Sequence, residues 1–166
     1  MTCAATVEVL FERAIAAERA AEALYRGLEA KFAAHEDVVA FWHSYAEDEV
    51  GHAKWLERFR EGLTPEELDA PADCIMLDNA RRAMEASIDK LLDQVHDLED
   101  AYELVNELEN AETNAVFEFM LANFSKDEGA KAFLRSQLKD HIGKLMIEFP
   151  SQFSSAAIRR QVKALP

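Results

Sequence analysis

Five side chains sit at odds with the positions they occupy in this sequence. Glu18, Glu49, His52, Glu112 and His141 fall in line with Leu, Ala and aromatic residues at alternating spacings of three and four, the pattern of a helix face turned towards a core. An ionised carboxylate buried alone costs several kcal/mol even after relaxation, so such groups are paired, protonated or bound to a cation. Glu49-Val50-Gly51-His52 sets a carboxylate and an imidazole one helical turn apart, close enough to bite one metal ion without bending the helix. Carboxylate oxygens with imidazole nitrogen, and no thiolate at hand, suit iron or manganese.

Taken singly, each residue has a plainer explanation. Glu18 has Arg19 and Arg26 nearby, Glu112 lies among Glu107, Glu109 and Glu118, and a lone His141 reads as a hydrogen-bonded core residue. Glu-x-x-His is common by chance. Three carboxylates and two imidazoles on four separate helical segments, each near its middle, ask for a common cation instead. His35, His43 and His96 fall off these faces or at segment ends and carry no expected role.

The positioning elements are helical. Periodicity predicts long helices over about 6–33, 37–61, 98–124 and 126–149. Their core-facing seams run Phe11, Ala14, Glu18, Ala21, Tyr25, Leu28, Phe32 in the first and Val38, Trp42, Tyr45, Glu49, His52, Leu56, Phe59 in the second. The third runs Leu98, Ala101, Val105, Leu108, Glu112, Ala115, Phe119, Ala122, and the fourth Leu134, Leu138, His141, Leu145. The link around Ala34–Glu36 is too short for anything but an antiparallel pair. Ser125-Lys126-Asp127-Glu128 reads as a capping box that starts the fourth helix and makes it the antiparallel partner of the third. Between the pairs, Thr64-Pro65-Glu66-Glu67 is a second capping box with proline at the first helical position. A short helix near 65–70 and helical turns around 79–95 are expected there. Two helical hairpins joined by one long crossover give an all-α fold, a ferritin-like four-helix bundle over residues 1–150. Residues 151–166 form a basic tail with room for a short terminal helix.

Composition narrows the partners. With 166 residues, 49% of them hydrophobic, and only 5 Gly and 4 Pro, the chain suits one helical domain. Its 18 basic residues against 32 acidic ones give a net charge of −14, which repels nucleic acid and anionic membranes. No apolar run approaches the roughly 20 residues of a bilayer span. Residues 1–5 show no basic-then-apolar leader, Cys3 and Cys74 form no Cys-x-x-Cys pair, and a reducing, cytoplasmic setting is expected.

Across roughly residues 8–149 the chain resembles rubrerythrins, within the wider ferritin-like superfamily. Glu18-Arg-Ala-Ala-Glu-Ala-Leu-Tyr25 is similar to the family's Glu with a Tyr seven residues on. Tyr45-Ala-Glu-Asp-Glu49-Val-Gly-His52-Ala-Lys-Trp-Leu56 is similar to its Glu-x-x-His-Ala-Lys-x-Leu helix, and Glu109-Asn-Ala-Glu112 with Phe117 to its Glu-x-x-Glu with an aromatic five residues later. The resemblance implies a di-iron site in which Glu18 is a terminal ligand, Glu49 and Glu112 bridge, His52 and His141 bind on opposite sides, and Glu109 is an extra carboxylate. Tyr25 and Tyr45 would then hydrogen-bond ligands or bound peroxide. It implies an oxidoreductase reducing hydrogen peroxide or dioxygen, paired as a homodimer. The rubredoxin domain that rubrerythrins often carry is missing, so electrons would come from a separate protein.

The chain departs from the pattern on the fourth helix, where Leu138-Lys139-Asp140-His141 replaces a second Glu-x-x-His. Leu138 cannot ligate, and Asp140 points about 100° away from His141. Gln137, four residues before His141, could donate a neutral oxygen, and Glu109 could restore the charge if it turns inward. Two alternatives follow: an iron-binding storage, carrier or sensor protein holding one ion, or a metal-free helical interaction protein.

Overall fold

The computed structural model describes residues 4–85, 87–110 and 112–154, apart from the Glu112 and Thr113 side chains. Eight α-helices account for most of these residues: α1 (Val7–Lys31), α2 (Glu36–Glu61), α3 (Pro65–Leu68), α4 (Cys74–Glu85), α5 (Ile88–Gln94), α6 (Leu98–Glu109), α7 (Glu112–Phe124) and α8 (Glu128–Glu148). Among the described residues there is no β-strand, only one isolated antiparallel bridge between Thr6 and Pro71. None of the described helices is long and apolar enough to cross a membrane.

Helix starts follow local chemistry. Thr6 caps α1 by accepting from the Val9 amide, and Thr64 with Glu67 forms the expected capping box on α3. The start of α8 differs from expectation. Its N-cap is Asp127, whose carboxylate accepts from the Gly129 and Ala130 amides at 2.8 and 3.1 Å, while the Ser125 hydroxyl turns to the Asp127 carbonyl. A carboxylate satisfies two orphan amides at a positive helix end, and here it outcompetes a hydroxyl two residues earlier.

α1 and α2 are antiparallel, and ion pairs mark their register: Glu8 with Arg60, Arg19 with Glu57, Arg26 with Glu47 and Glu29 with His43. The expected third helix is two. α6 ends at Glu109, Asn110 caps it, and the Asn114 side chain from α7 donates to the Glu109 carbonyl at 2.6 Å. Across this interruption the buried row steps from Val105 by four to Glu109 and by seven to Val116. Beyond it the buried face is Val116, Phe117, Met120 and Leu121, whereas Ala115 and Ala122 of the expected seam are exposed. In α8 the expected seam Leu134, Leu138, His141 and Leu145 is buried throughout.

The apolar core is divided. One cluster gathers Leu24, Tyr25 and Leu28 of α1, Phe41, Trp42 and Tyr45 of α2, Leu98, Ala101 and Val105 of α6, and Leu145 of α8. The other gathers Val7, Leu10, Phe11 and Ala14 of α1, Leu56 and Phe59 of α2, Val116 to Leu121 of α7, and Leu134 and Leu138 of α8. α1 and α8 thus run from the second cluster to the first, while α2 and the α6–α7 pair run the opposite way. The chain leaves α2 at one end and enters α6 at the other, and α3, α4 and α5 make that traverse, with α4 packed on α1 and α7 and α5 on α1. At Gly27 of α1 an added Cβ would lie 2.4 Å from Leu92 Cδ1, so this mid-helix glycine lets α5 approach closely. After α8, residues 151–154 add one helical turn. The rest of the expected basic tail, 155–166, lies outside the described residues.

Candidate metal centre

Between the two apolar clusters lies a polar layer. Glu18 of α1, Glu49 and His52 of α2, Glu109 of α6 and His141 of α8 are each no more than 6% exposed. They meet because each follows or precedes a stretch of core by one or two turns, and antiparallel packing brings those turns to one level. They form two trios that share Glu49. In Glu18–Glu49–His52 and in Glu49–Glu109–His141, one ligand atom from each residue lies within 4.8 Å of the others.

In the first trio, His52 Nδ1 is 3.0 Å from Glu49 Oε2 and 3.5 Å from Glu18 Oε2. In the second, His141 Nε2 is 3.1 Å from Glu49 Oε1 and 3.2 Å from Glu109 Oε2. Those distances permit ion pairing, yet neither oxygen is aligned for a hydrogen bond, and the buried Nε2 has no hydrogen-bond partner. A buried ring nitrogen flanked by two carboxylate oxygens that it does not bond is a donor arrangement suited to a cation.

The surrounding groups hold these donors in place. Asp48 Oδ2 lies 3.1 Å from His141 Nδ1 and accepts from Lys144 Nζ at 2.8 Å, while Lys144 also donates to Ser44 at 2.7 Å. A carboxylate on Nδ1 fixes the tautomer that leaves Nε2 to face the trio. The Tyr45 ring stacks on the His141 ring at 4.1 Å, and its hydroxyl donates to the His141 carbonyl at 3.3 Å. The Tyr25 hydroxyl donates to Glu109 Oε1, and Asn114 Nδ2 donates to Glu109 Oε2 at 2.9 Å.

Proton affinities reflect this crowding. Burial lifts the Glu18 carboxyl to about 8; the hydrogen bond from His52 opposes the rise and the Glu49 charge adds to it. Burial also acts to raise Glu49, but the neighbouring imidazoles of His141 and His52 win and hold it well below the usual carboxylate range. For His52, burial is outweighed by hydrogen bonds to Glu18 and Glu49, which raise it to about 10. His141 is likewise raised against the effect of burial, by Asp48, Glu109 and Glu49. Asp48 is lowered: hydrogen bonds from His141 and Lys144 overcome its partial burial. Burial, reinforced by neighbouring carboxylates, pushes both Tyr25 and Tyr45 upwards, so both hydroxyls keep their protons.

Of the residues singled out in the sequence, Glu18, Glu49, His52, Glu109 and His141 come together here, and Tyr25 and Tyr45 touch them. Glu112 lies outside the described side chains. Gln137 is exposed on α8 and belongs to neither trio. Asp48, Lys144 and Asn114 escaped sequence reasoning. Asp48 lies about 100° around the helix from Glu49 and reads as surface, and only the approach of α8 gives it a partner. No protein-family model, curated protein or solved structure matches the chain.

Proposed function

We propose that this chain is a ferritin-like, rubrerythrin-like metalloprotein that binds two iron ions and reduces hydrogen peroxide or dioxygen. One observation carries the reading: two buried trios of carboxylate and imidazole donors share Glu49 at the level where four helical columns converge. Glu18, Glu49 and His52 would hold one ion, and Glu49, Glu109 and His141 the other. Manganese shares the same ligand preference. Traversed as they are, the four columns give two antiparallel pairs and one long crossover, the connectivity of ferritin-like bundles.

Glu109 supplies a carboxylate to the second trio, where Leu138, packed in the second apolar cluster, offers none. Iron bound here would supply one-electron steps to an oxidant. The chain's own work is to position and to shield. Asp48 orients His141, Tyr25 and Asn114 fix the two oxygens of Glu109, and the apolar clusters above and below keep bulk water away. A separate electron-donor protein would return the iron to its ferrous state. Pairing of two copies fits the apolar Phe133, Met146 and Ile147 exposed on α8.

The test is anaerobic loading with ferrous iron followed by peroxide. Two ferrous ions oxidised per peroxide, with two protons consumed and two waters formed, is the expected stoichiometry. Absence of iron oxidation sinks the reading. One ion bound per chain with little turnover would make it a carrier or sensor instead.

A second reading also has an observation behind it. The same five groups close ion pairs with one another, His52 with Glu18 and Glu49, and His141 with Glu49 and Glu109. On that account protons neutralise the layer, and the chain is a metal-free helical interaction protein. Identical melting with and without chelator after iron exposure selects it.

A further inference from the structure

A cavity of about 180 Å³ leads from the α4–α5 side of the molecule to the carboxylates of the polar layer. Its aliphatic walls include three alanines and three larger side chains, Ala17, Ala21, Ala83, Leu24, Ile88 and Leu108. Its inner end is formed by Tyr25, Glu49 and Glu109. Arg82 stands at the outer end with its guanidinium committed to Asp78 at 3.3 Å and Asn79 at 2.9 Å. We propose that this cavity is a binding site for a small uncharged organic molecule, a monocyclic phenol or an alcohol of similar size, whose hydroxyl meets the Glu49 and Glu109 carboxylates.

Size, polarity and charge each narrow the ligand. An apolar cavity of ~150 Å³ in another protein takes up benzene, so this one has room for a ring with one or two substituents. Drug-sized and nucleotide ligands need pockets of roughly 300 Å³ or more. Aliphatic walls favour an apolar body. Among the described residues the donors at the inner end are already used, because Tyr25 and Asn114 both donate to Glu109. What remains is acceptor oxygen, so the ligand's polar end must donate a hydrogen bond. Two carboxylates repel a ligand carboxylate or phosphate, and the one guanidinium near the opening is held by its own neighbours.

The proposal deepens the reading above and rests on it for placing the ligand beside a reactive centre, while the binding itself belongs to the metal-free chain. The chain, stripped with chelator, is titrated with phenol, benzene and benzoate and followed by protein chemical shifts, and ferrous iron uptake is measured separately. Phenol is expected to saturate in the millimolar range or tighter and to bind at least about tenfold more tightly than benzoate. Filling the cavity by Ala21→Leu from α1, or by Ala83→Leu from α4, is expected to weaken phenol binding about tenfold or more, with melting temperature checking that each variant is folded. No saturable phenol binding, benzoate binding as tight as phenol, or binding that survives both substitutions overturns the proposal. A chain that binds phenol but takes up no iron keeps the cavity site and discards the metal reading; iron uptake without phenol binding does the reverse.

Discussion

Glu49 is the residue on which the centre turns, because one oxygen faces His52 and the other faces His141. Glu49→Gln is therefore expected to lower the metal content of both positions, whereas Glu18→Gln should lower only one; elemental analysis of each variant checks this. Asp48 belongs to neither trio but holds His141 through Nδ1. Asp48→Asn should weaken metal affinity about 10–100-fold without abolishing it, read by competition with a chelator of known affinity. Proton linkage gives a third prediction at this scale. Without metal, His52 sits at about 10 against an ordinary 6.5, and Glu18 at about 8 against 4.5. The folded state thus holds more protons than the unfolded one over that span, so stability falls as pH rises through those values. Glu49, shifted the other way, loses its contribution only as pH falls through the acid range. Melting temperature of the metal-free chain should decline between about pH 6.5 and 10, and metal, which displaces these protons, should flatten or reverse the slope. A melting temperature that rises with pH in the metal-free chain would contradict the assignment.

At the scale of elements, the start of α8 separates two capping schemes. Asp127→Ala should cost about 1 kcal/mol of stability and Ser125→Ala much less, measured by denaturant unfolding; the reverse ranking would favour the Ser125–Glu128 box. The same helix shows how far periodicity alone can go. α8 is uninterrupted, so Leu134, Leu138, His141 and Leu145 could be read as one buried row and are one. α2 is the same: all seven expected seam residues from Val38 to Phe59 are buried. The third predicted helix failed where the chain breaks after Glu109. From Val105 a step of three leads to Leu108 and Glu112, and a step of four leads to Glu109. Both steps are helical, and the sequence does not rank them. The structure takes the step of four, buries Glu109 and continues that row through Val116 and Met120. Asp48 was illegible for another reason: its partner lies 93 residues away, and no local pattern announces a contact made by tertiary approach.

At the scale of the molecule, a polar layer divides the hydrophobic core into two clusters. Groups buried in this way weaken a fold unless they are compensated, so a bound cation should stabilise the whole chain rather than a local segment. At free metal about a hundredfold above the dissociation constant the gain is about 2.7 kcal/mol. For a domain of this size that corresponds to a rise in melting temperature of about 5–10 °C, checked by calorimetry with ferrous iron and with chelator.

The most direct measurement is anomalous diffraction at the iron edge from crystals grown with ferrous iron under anaerobic conditions. The account predicts two peaks in the polar layer, one among Glu18, Glu49 and His52 and one among Glu49, Glu109 and His141. An empty layer with iron only at surface carboxylates would contradict it.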